Sequence, residues 1–427
     1  MRLRLTGLWR NQDFVRLWAA QTVSIFGSLV TRTALPFVAI LTLDATPFQI
    51  AFLGIAEMAP AFLIGLVAGA WVDRLPRRPI MIAADLGRAA LVLTIPLGVL
   101  FDALRIELLY IVAALVSVLT TFFDVAYQSY LPTLVRKDQL IEGNSKLTAS
   151  ASASEFVAFG AGGWFVQLFR PAGALVIDAF TFLWSAWFLW RIKRPEPPPA
   201  RAEERAPIRR EIVDGVRRLI QDPTLRAVNA ASMTLSLASR SMGTVYLLYV
   251  SQEVGFDPGV LGMMWAVGGI GAFAGALATS RVNAWLGIGP AMMAMLVVIG
   301  LGQSLIALAT GVTLVAVVFL VAQQLISDPA WSAFEVNVVS LRQAVTPERL
   351  LGRVTASMRV LDFGAMTIGA LIGGWLGETV GLRPTIVIAS AAISAGALWL
   401  AFSPVRGMRE TPAVRGDVVP EVIAEVP

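Results

Sequence analysis

A chain of 427 residues that is 56% hydrophobic and only 15% charged, with a mean hydropathy of +0.71, is far more apolar than a soluble domain and calls for a bilayer as solvent. It has neither cysteine nor histidine, which excludes disulfides, thiolate or imidazole metal sites, cysteine nucleophiles and histidine proton relays, and it carries no Gly-x-x-x-x-Gly-Lys-Ser/Thr phosphate cradle. The net charge of +5 sits in short loops between apolar runs, so it reads as membrane orientation rather than as a nucleic-acid-binding stripe.

Arg2, Arg4, Arg10 and Arg16 precede a first apolar run at 17–42, too long for a signal-peptide core of roughly 7 to 15 residues. It reads as a retained helix. Further runs able to cross a core of about 30 Å lie at 48–72, 79–100, 108–131, 147–169, 172–190, 227–250, 259–280, 289–309, 312–339, 354–379 and 383–402. The fold class this predicts is an all-α membrane protein with twelve transmembrane helices in two pseudo-symmetric six-helix bundles. The domains are 1–190, a linker at 191–226, a second bundle at 227–402 and a cytoplasmic tail at 403–427 that reads as disordered.

Twelve crossings place both termini on one side. That side holds Arg74, Arg77, Arg78, Arg136, Lys137, Lys146, Arg281, Arg342, Arg349 and Arg353, against Arg105, Arg170 and Arg383 opposite. The asymmetry makes it the cytoplasm and the location the inner (plasma) membrane. In the linker, Ile212, Val213, Val216, Leu219 and Ile220 share one helical face with Arg209, Arg210, Arg217 and Arg218 nearby; an interfacial helix and a solvated charged helix both fit.

The halves repeat. Gly162-Gly163-Trp164 with Arg170-Pro171 beyond it recurs as Gly373-Gly374-Trp375 with Arg383-Pro384, and Gln21, Ser24, Ser28 and Arg32 recur as Asn229, Ser232, Ser236 and Arg240. Spacings of 3, 4 and 4 put each set on one stripe of its helix, the first of each half. The fourth span carries Ser117, Thr121, Asp124 and Gln128, and the tenth carries Gln324, Asp328, Trp331 and Glu335. These rails predict one shared cavity lined by spans 1, 4, 7 and 10. Its candidate substrate-binding residues are Gln21, Ser24, Ser28, Arg32, Ser117, Thr121, Gln128, Asn229, Ser232, Ser236, Arg240, Gln324 and Trp331. The other reading of the hydroxyls is bonding to neighbouring helices or to their own backbone.

A midplane arginine costs at least about 3 kcal/mol, so Arg32 and Arg240 require a site or a buried ion pair. Without histidine, carboxylates are the proton carriers left within the membrane. Glu57, Asp124, Glu155 and Asp328 are the candidates, each alternatively neutralising an arginine. The i,i+3 pairs Asp85–Arg88 and Arg359–Asp362 read as structural.

The loop Gly69-Ala70-Trp71-Val72-Asp73-Arg74-Leu75-Pro76-Arg77-Arg78 resembles the Gly-x-x-x-Asp-Arg-x-Gly-Arg-Arg signature of the major facilitator superfamily, with Pro76 in place of the second glycine. The resemblance implies the major facilitator fold and a cytoplasmic gate of Gly69, Asp73, Arg74, Arg77 and Arg78 that latches the halves in the outward-facing state. Phe122-Phe123 with Leu131-Pro132-Thr133-Leu134-Val135, Asp178-Ala179-Phe180-Thr181-Phe182-Leu183 and Leu350-Leu351-Gly352-Arg353 are similar to the subgroup of the enterobactin exporter and macrolide efflux proteins. That implies export. In helix 5 the drug-antiporter Gly-Pro-x-x-Gly-Gly motif lacks its proline.

The expectation is a secondary active transporter, not an enzyme, that exports a small amphipathic or apolar compound by alternating access and proton antiport. Its partners are the substrate, protons and the lipid bilayer, with no cofactor, metal or nucleic acid, and it acts as a monomer. Inward symport, a non-transporting receptor and an intramembrane aspartyl enzyme are the competing readings.

Overall fold

The computed structural model describes residues 7–72, 74–196 and 216–410, all of whose regular structure is helical. The first half holds α1 (Gln12–Leu43), α2 (Pro47–Val72), α3 (Arg77–Leu100) and α4 (Ile106–Leu134), then the run Leu140–Trp190. Arg170, at φ 61° and ψ 160°, breaks that run into α5 (140–169) and α6 (171–190). The second half holds α7 (Pro223–Leu248), α8 (Pro258–Leu286), α9 (Ile288–Ser304), α10 (Leu314–Val345), α11 (Glu348–Thr379) and α12 (Leu382–Ala395), the last bending at Gly396 into a final turn over Ala397–Ala401.

Local chemistry sets the starts. Asn11 caps α1 by accepting from the amides of Asp13 and Phe14, and Asp222 caps α7 by accepting from Thr224 and Leu225, with Pro223 at the first helical position. Pro36, Pro60, Pro96, Pro132 and Pro329 lie inside helices, which packed neighbours tolerate in a membrane. Ten stretches among the described residues are long and apolar enough by themselves to cross a bilayer. Separating α5 from α6 and adding α7 makes twelve. Helix α7 falls short in composition because it carries many polar side chains, of which Asn229, Ser232 and Ser241 are buried in the bundle.

Packing repeats with a shift of six helices. Helix α1 packs along α5 and α6 as α7 packs along α11 and α12, α2 pairs with α4 as α8 pairs with α10, and α3 with α4 as α9 with α10. Trp18 donates to Ser150, and Ser154 to the Thr22 carbonyl, so α1 and α5 run parallel. Asp13 accepts from the amides of Lys193 and Arg194 while Gly27 lies against Asp178, so α6 returns antiparallel.

The bundles meet along α2 with α11 and α5 with α8, and the contacts gather toward one face. Phe48 at the start of α2 donates its amide to Glu378 at the end of α11, 3.3 Å away, and Phe62 stacks on Phe363 at 4.1 Å between centroids. The duplicated glycine pairs explain the close approach. The first glycine of each pair packs on the leading helix of its own half, Gly162 on Thr33 and Gly373 on Ser241. The second packs across the divide, Gly163 on the backbone of Pro258 and Gly262, and Gly374 on Phe48 and Ala51. These contacts lie at the periplasmic ends and at mid-depth, and none of them joins the cytoplasmic ends. This is an inward-open state.

Some boundaries move: α5 begins at Leu140 rather than 147, and α7 at Pro223 rather than 227. Residues 192–196, the start of the expected linker, lie stitched to the first bundle. Residues 216–221 are helical and Leu219 is buried in the core. Ile212, Val213, Arg209 and Arg210 lie outside the described residues, as do 411–427 of the tail.

Candidate functional site

A cavity of about 510 Å³ opens between the bundles, lined from α1, α2, α3, α4, α6, α7 and α11. Among the rail residues, Ser28, Arg32, Ser117, Thr121 and Arg240 face it, together with Glu57 and Asp124. The Ser117 hydroxyl donates to the Ala114 carbonyl and that of Thr121 to the Ser117 carbonyl, so their protons are held by the backbone while their oxygens remain on the wall. Arg240 reaches across the divide from α7 and lies against Gly54 of α2, where a Cβ would overlap the guanidinium. That glycine, one turn before Glu57, gives the arginine its place beside the carboxylate.

The other rail residues fall elsewhere. Gln21, Ser24, Asn229 and Ser232 are buried within their bundles, Ser236 is half-buried, and Gln128 is exposed and not part of the cavity lining. The lower turns of α1 are covered by α5 through Trp18–Ser150 and Thr22–Ser154, so the same stripe that meets the cavity at Ser28 and Arg32 meets protein at Gln21 and Ser24. Glu155 is exposed on α5 and lines neither cavity.

Helix α10 corrects the four-rail picture. It supplies no residue to this cavity, because it lies against α8 and α9. Gly271 and Gly275 of α8 receive Pro329, and Gly268 receives Gln324 and Asp328. Asp328 instead faces a second cavity of about 450 Å³, which it shares with Arg32, Thr33, Pro36, Leu247 and Trp265. Arg32 lies on both walls. Gln324 is buried and Trp331 packs at the edge of the core.

The sequence reading also passed over wall residues. Asp178 of α6 lines the cavity from a fully buried position, its Oδ1 accepting from the Thr181 hydroxyl at 2.9 Å, and its position in a span with threonine three residues on is the available signal. Leu35, Met58, Val92, Ile95, Val116 and Phe182 supply apolar wall, with no mark in the sequence to separate them from lipid-facing residues.

Asp85 and Arg88 close as their spacing predicts, at 2.5 Å and nearly without exposure. The guanidinium lies 4.5 Å from the ring centre of Phe123 and 4.3 Å from that of Phe182, and donates to Thr120 at 3.3 Å. Arg359 and Asp362, by contrast, form no ion pair among the described residues.

At the cytoplasmic loop, Gly69 lies in the last turn of α2, Arg74 is exposed and Asp73 lies outside the described residues. The α3 N-terminus binds the Glu196 carboxylate, which accepts from the amides of Arg77 at 2.8 Å and Arg78 at 3.3 Å and from the Arg77 guanidinium at 3.3 Å. The Arg78 guanidinium donates to the carbonyls of Leu189 and Trp190 at the end of α6. In this state both arginines are therefore held within the first half.

Comparison with known proteins agrees with this architecture. The model of the transmembrane secretion effector family matches residues 6–425. The multidrug efflux pump Tap of Mycolicibacterium fortuitum is 24% identical over 90% of this chain and 94% of its own length, and the MFS-type transporter YfiS of Bacillus subtilis is 22% identical over 89% and 91%. Among solved structures, a bacterial homologue of the iron transporter ferroportin in an inward-facing state superposes with a TM-score of 0.72 at 18% identity over 93% of this chain and 99% of that one. An outward-facing structure of a bacterial ferroportin homologue scores 0.53 at 18% identity, over 91% of this chain and 98% of that one. With two six-helix bundles, a cavity between them and a family match along nearly its whole length, the chain belongs to the transmembrane secretion effector family of the major facilitator superfamily, multi-pass secondary transporters of small molecules.

Proposed function

We propose that the protein is a proton-driven exporter of small amphipathic or apolar compounds, alternating between the inward-open state and an outward-open one. The observation that carries this reading is the charge balance of the main cavity. Its lining holds three carboxylates, Glu57, Asp124 and Asp178, against two guanidiniums, Arg32 and Arg240. A weakly hydrated site disfavours the unbalanced negative charge, and one bound proton removes it.

Glu57 lies nearest the mobile part of this arrangement, because Arg240 of the opposite bundle packs on Gly54, one turn away on the same helix, and lines the same cavity. Rocking of the halves withdraws that cation, so the affinity of the carboxylate for a proton changes with the state. Asp124 stands on the fixed wall of the first bundle, where the substrate and a proton compete. The wall around them is largely apolar, and its Ser117 and Thr121 hydroxyls already donate to backbone carbonyls, which suits a ligand with few hydrogen-bonding groups better than a sugar. Export, rather than uptake, is supported by the relative described as a multidrug efflux pump and by the resemblance to the enterobactin exporter and macrolide efflux subgroup.

The experiment is flux in inverted membrane vesicles and in proteoliposomes, with and without an imposed pH gradient, for compounds that accumulate in a deletion strain screened against dyes, antibiotics and siderophores. Gradient-stimulated uptake into inverted vesicles is the expected result, lost in Glu57→Gln or Asp124→Asn. Wild-type flux that ignores the gradient removes proton coupling, and net movement toward the cytoplasm replaces export by symport.

A further inference from the structure

A groove of about 570 Å³ lies on the outside of the first bundle at its cytoplasmic edge, between the start of α3 and the end of α6, remote from both central cavities. Its rim is basic: Arg78, Lys193 and Arg194 line it against the single carboxylate of Glu196. That carboxylate is already engaged by the Arg77 and Arg78 amides. Arg194 donates to the Leu134 carbonyl, and neither its guanidinium nor the Lys193 ammonium forms an ion pair among the described residues.

From this rim the groove descends toward the bilayer along Ile82 and Leu86 of α3, with Trp190 as its other wall. Leu86 is 48% and Trp190 66% exposed, and Trp184 and Trp187 continue the aromatic face of α6. Polarity therefore changes along the membrane normal, cationic at the cytoplasmic surface and apolar one or two helical turns deeper. An ordinary lipid-facing surface has the apolar part alone; a site for a soluble anion has the basic part alone.

We infer that this groove binds one anionic phospholipid of the cytoplasmic leaflet, its phosphate at Lys193 and Arg194 and an acyl chain along Leu86 and Trp190. Aromatic residues at headgroup depth and clustered basic residues on the cytoplasmic side are the chemistry that recognises such a lipid. The bound lipid bridges α3 to the segment after α6, the same segment that Glu196 fastens to the α3 N-terminus. The inference stands on the groove and does not depend on the direction or coupling of transport.

The test is native mass spectrometry of the purified full-length protein titrated with phosphatidylglycerol and, separately, with phosphatidylethanolamine of the same acyl chains. A single phosphatidylglycerol is expected to bind in preference. Removing one unit of charge at a membrane surface weakens such binding about fivefold, so Lys193→Gln loses about fivefold and Lys193→Glu about 25-fold. Both variants keep the backbone bond of residue 193 to Asp13, and elution as a folded monodisperse protein checks this. Leu86→Ser weakens phosphatidylglycerol as well. Equal retention of the two lipids by the wild type, or full retention of phosphatidylglycerol by Lys193→Glu, overturns the inference. Inorganic phosphate that displaces phosphatidylglycerol at equal concentration also overturns it, by showing a soluble-anion site.

Discussion

Gly374→Ala is expected to shift the protein from inward-open toward outward-open. An added Cβ at this position would lie 2.9 Å from the Phe48 Cα and 2.9 Å from the Ala51 Cβ, where carbon atoms prefer about 3.5–4.0 Å. Neither neighbour can rotate away, since one is backbone and the other a methyl fixed to it. Helices α2 and α11 must part by roughly 0.6–1 Å, and overpacking of this kind costs about 1–3 kcal/mol. The contact exists only while the periplasmic ends are closed, so the cost falls on the inward-open state alone. The equilibrium then moves by about 5- to 150-fold. The protein is free of cysteine, so a single Val116→Cys in the cavity gives one reactive thiol. Its labelling by a membrane-impermeant maleimide from the periplasmic side is expected to rise in Gly374→Ala, and in the symmetry-related Gly163→Ala. Gly162→Ala is the control: its Cβ would meet Thr33 of the same bundle at ordinary distances of 3.4–3.8 Å, and labelling should stay at the wild-type rate. Unchanged labelling in a folded Gly374→Ala, or an equal rise in Gly162→Ala, would refute the assignment of the second glycine to the gate.

Arg32→Ala and Arg240→Ala are each expected to abolish most transport at near-normal membrane abundance, because both guanidiniums face the cavity rather than a closed ion pair; disappearance of both proteins, rescued by Glu57→Gln, would make them structural instead. Arg88→Met leaves Asp85 buried without its cation and should cost about 3–5 kcal/mol in thermal unfolding, with Asp85→Asn restoring part of it; a loss below about 1 kcal/mol contradicts the buried-pair reading. Glu196→Gln weakens charge-assisted bonds worth about 1.5–3 kcal/mol, so hydrogen exchange at the Arg77 and Arg78 amides should accelerate by more than tenfold. Unchanged exchange there means that the linker is held by other contacts.

Much of this protein is legible in its sequence. Apolar run length marks the spans, because a hydrocarbon core admits no unpaired backbone, and the arginine asymmetry orients them. The repeat exposed Gly162-Gly163 and Gly373-Gly374 as a matched device, and the cost of charge in lipid drew attention to Arg32, Arg240, Glu57 and Asp124, which do meet at one cavity. Periodicity, however, assigns a residue to a face of its helix and says nothing of what that face meets. Gln21 and Arg32 share a stripe, yet α5 covers the first and the cavity receives the second. Asp328 holds the place on its rail that Thr121 holds on α4, but α10 packs on the glycines of α8 and turns the carboxylate to another cavity. Only the arrangement of helices separated Gly162, which packs within its bundle, from Gly163, which packs across to the other, and brought Glu196 to the α3 N-terminus some 119 residues away in the chain. Local composition determined which helices form and how they cross the membrane; which of their polar groups face water, substrate or one another was decided by contacts between residues far apart in sequence, for which no short-range pattern carries a signal.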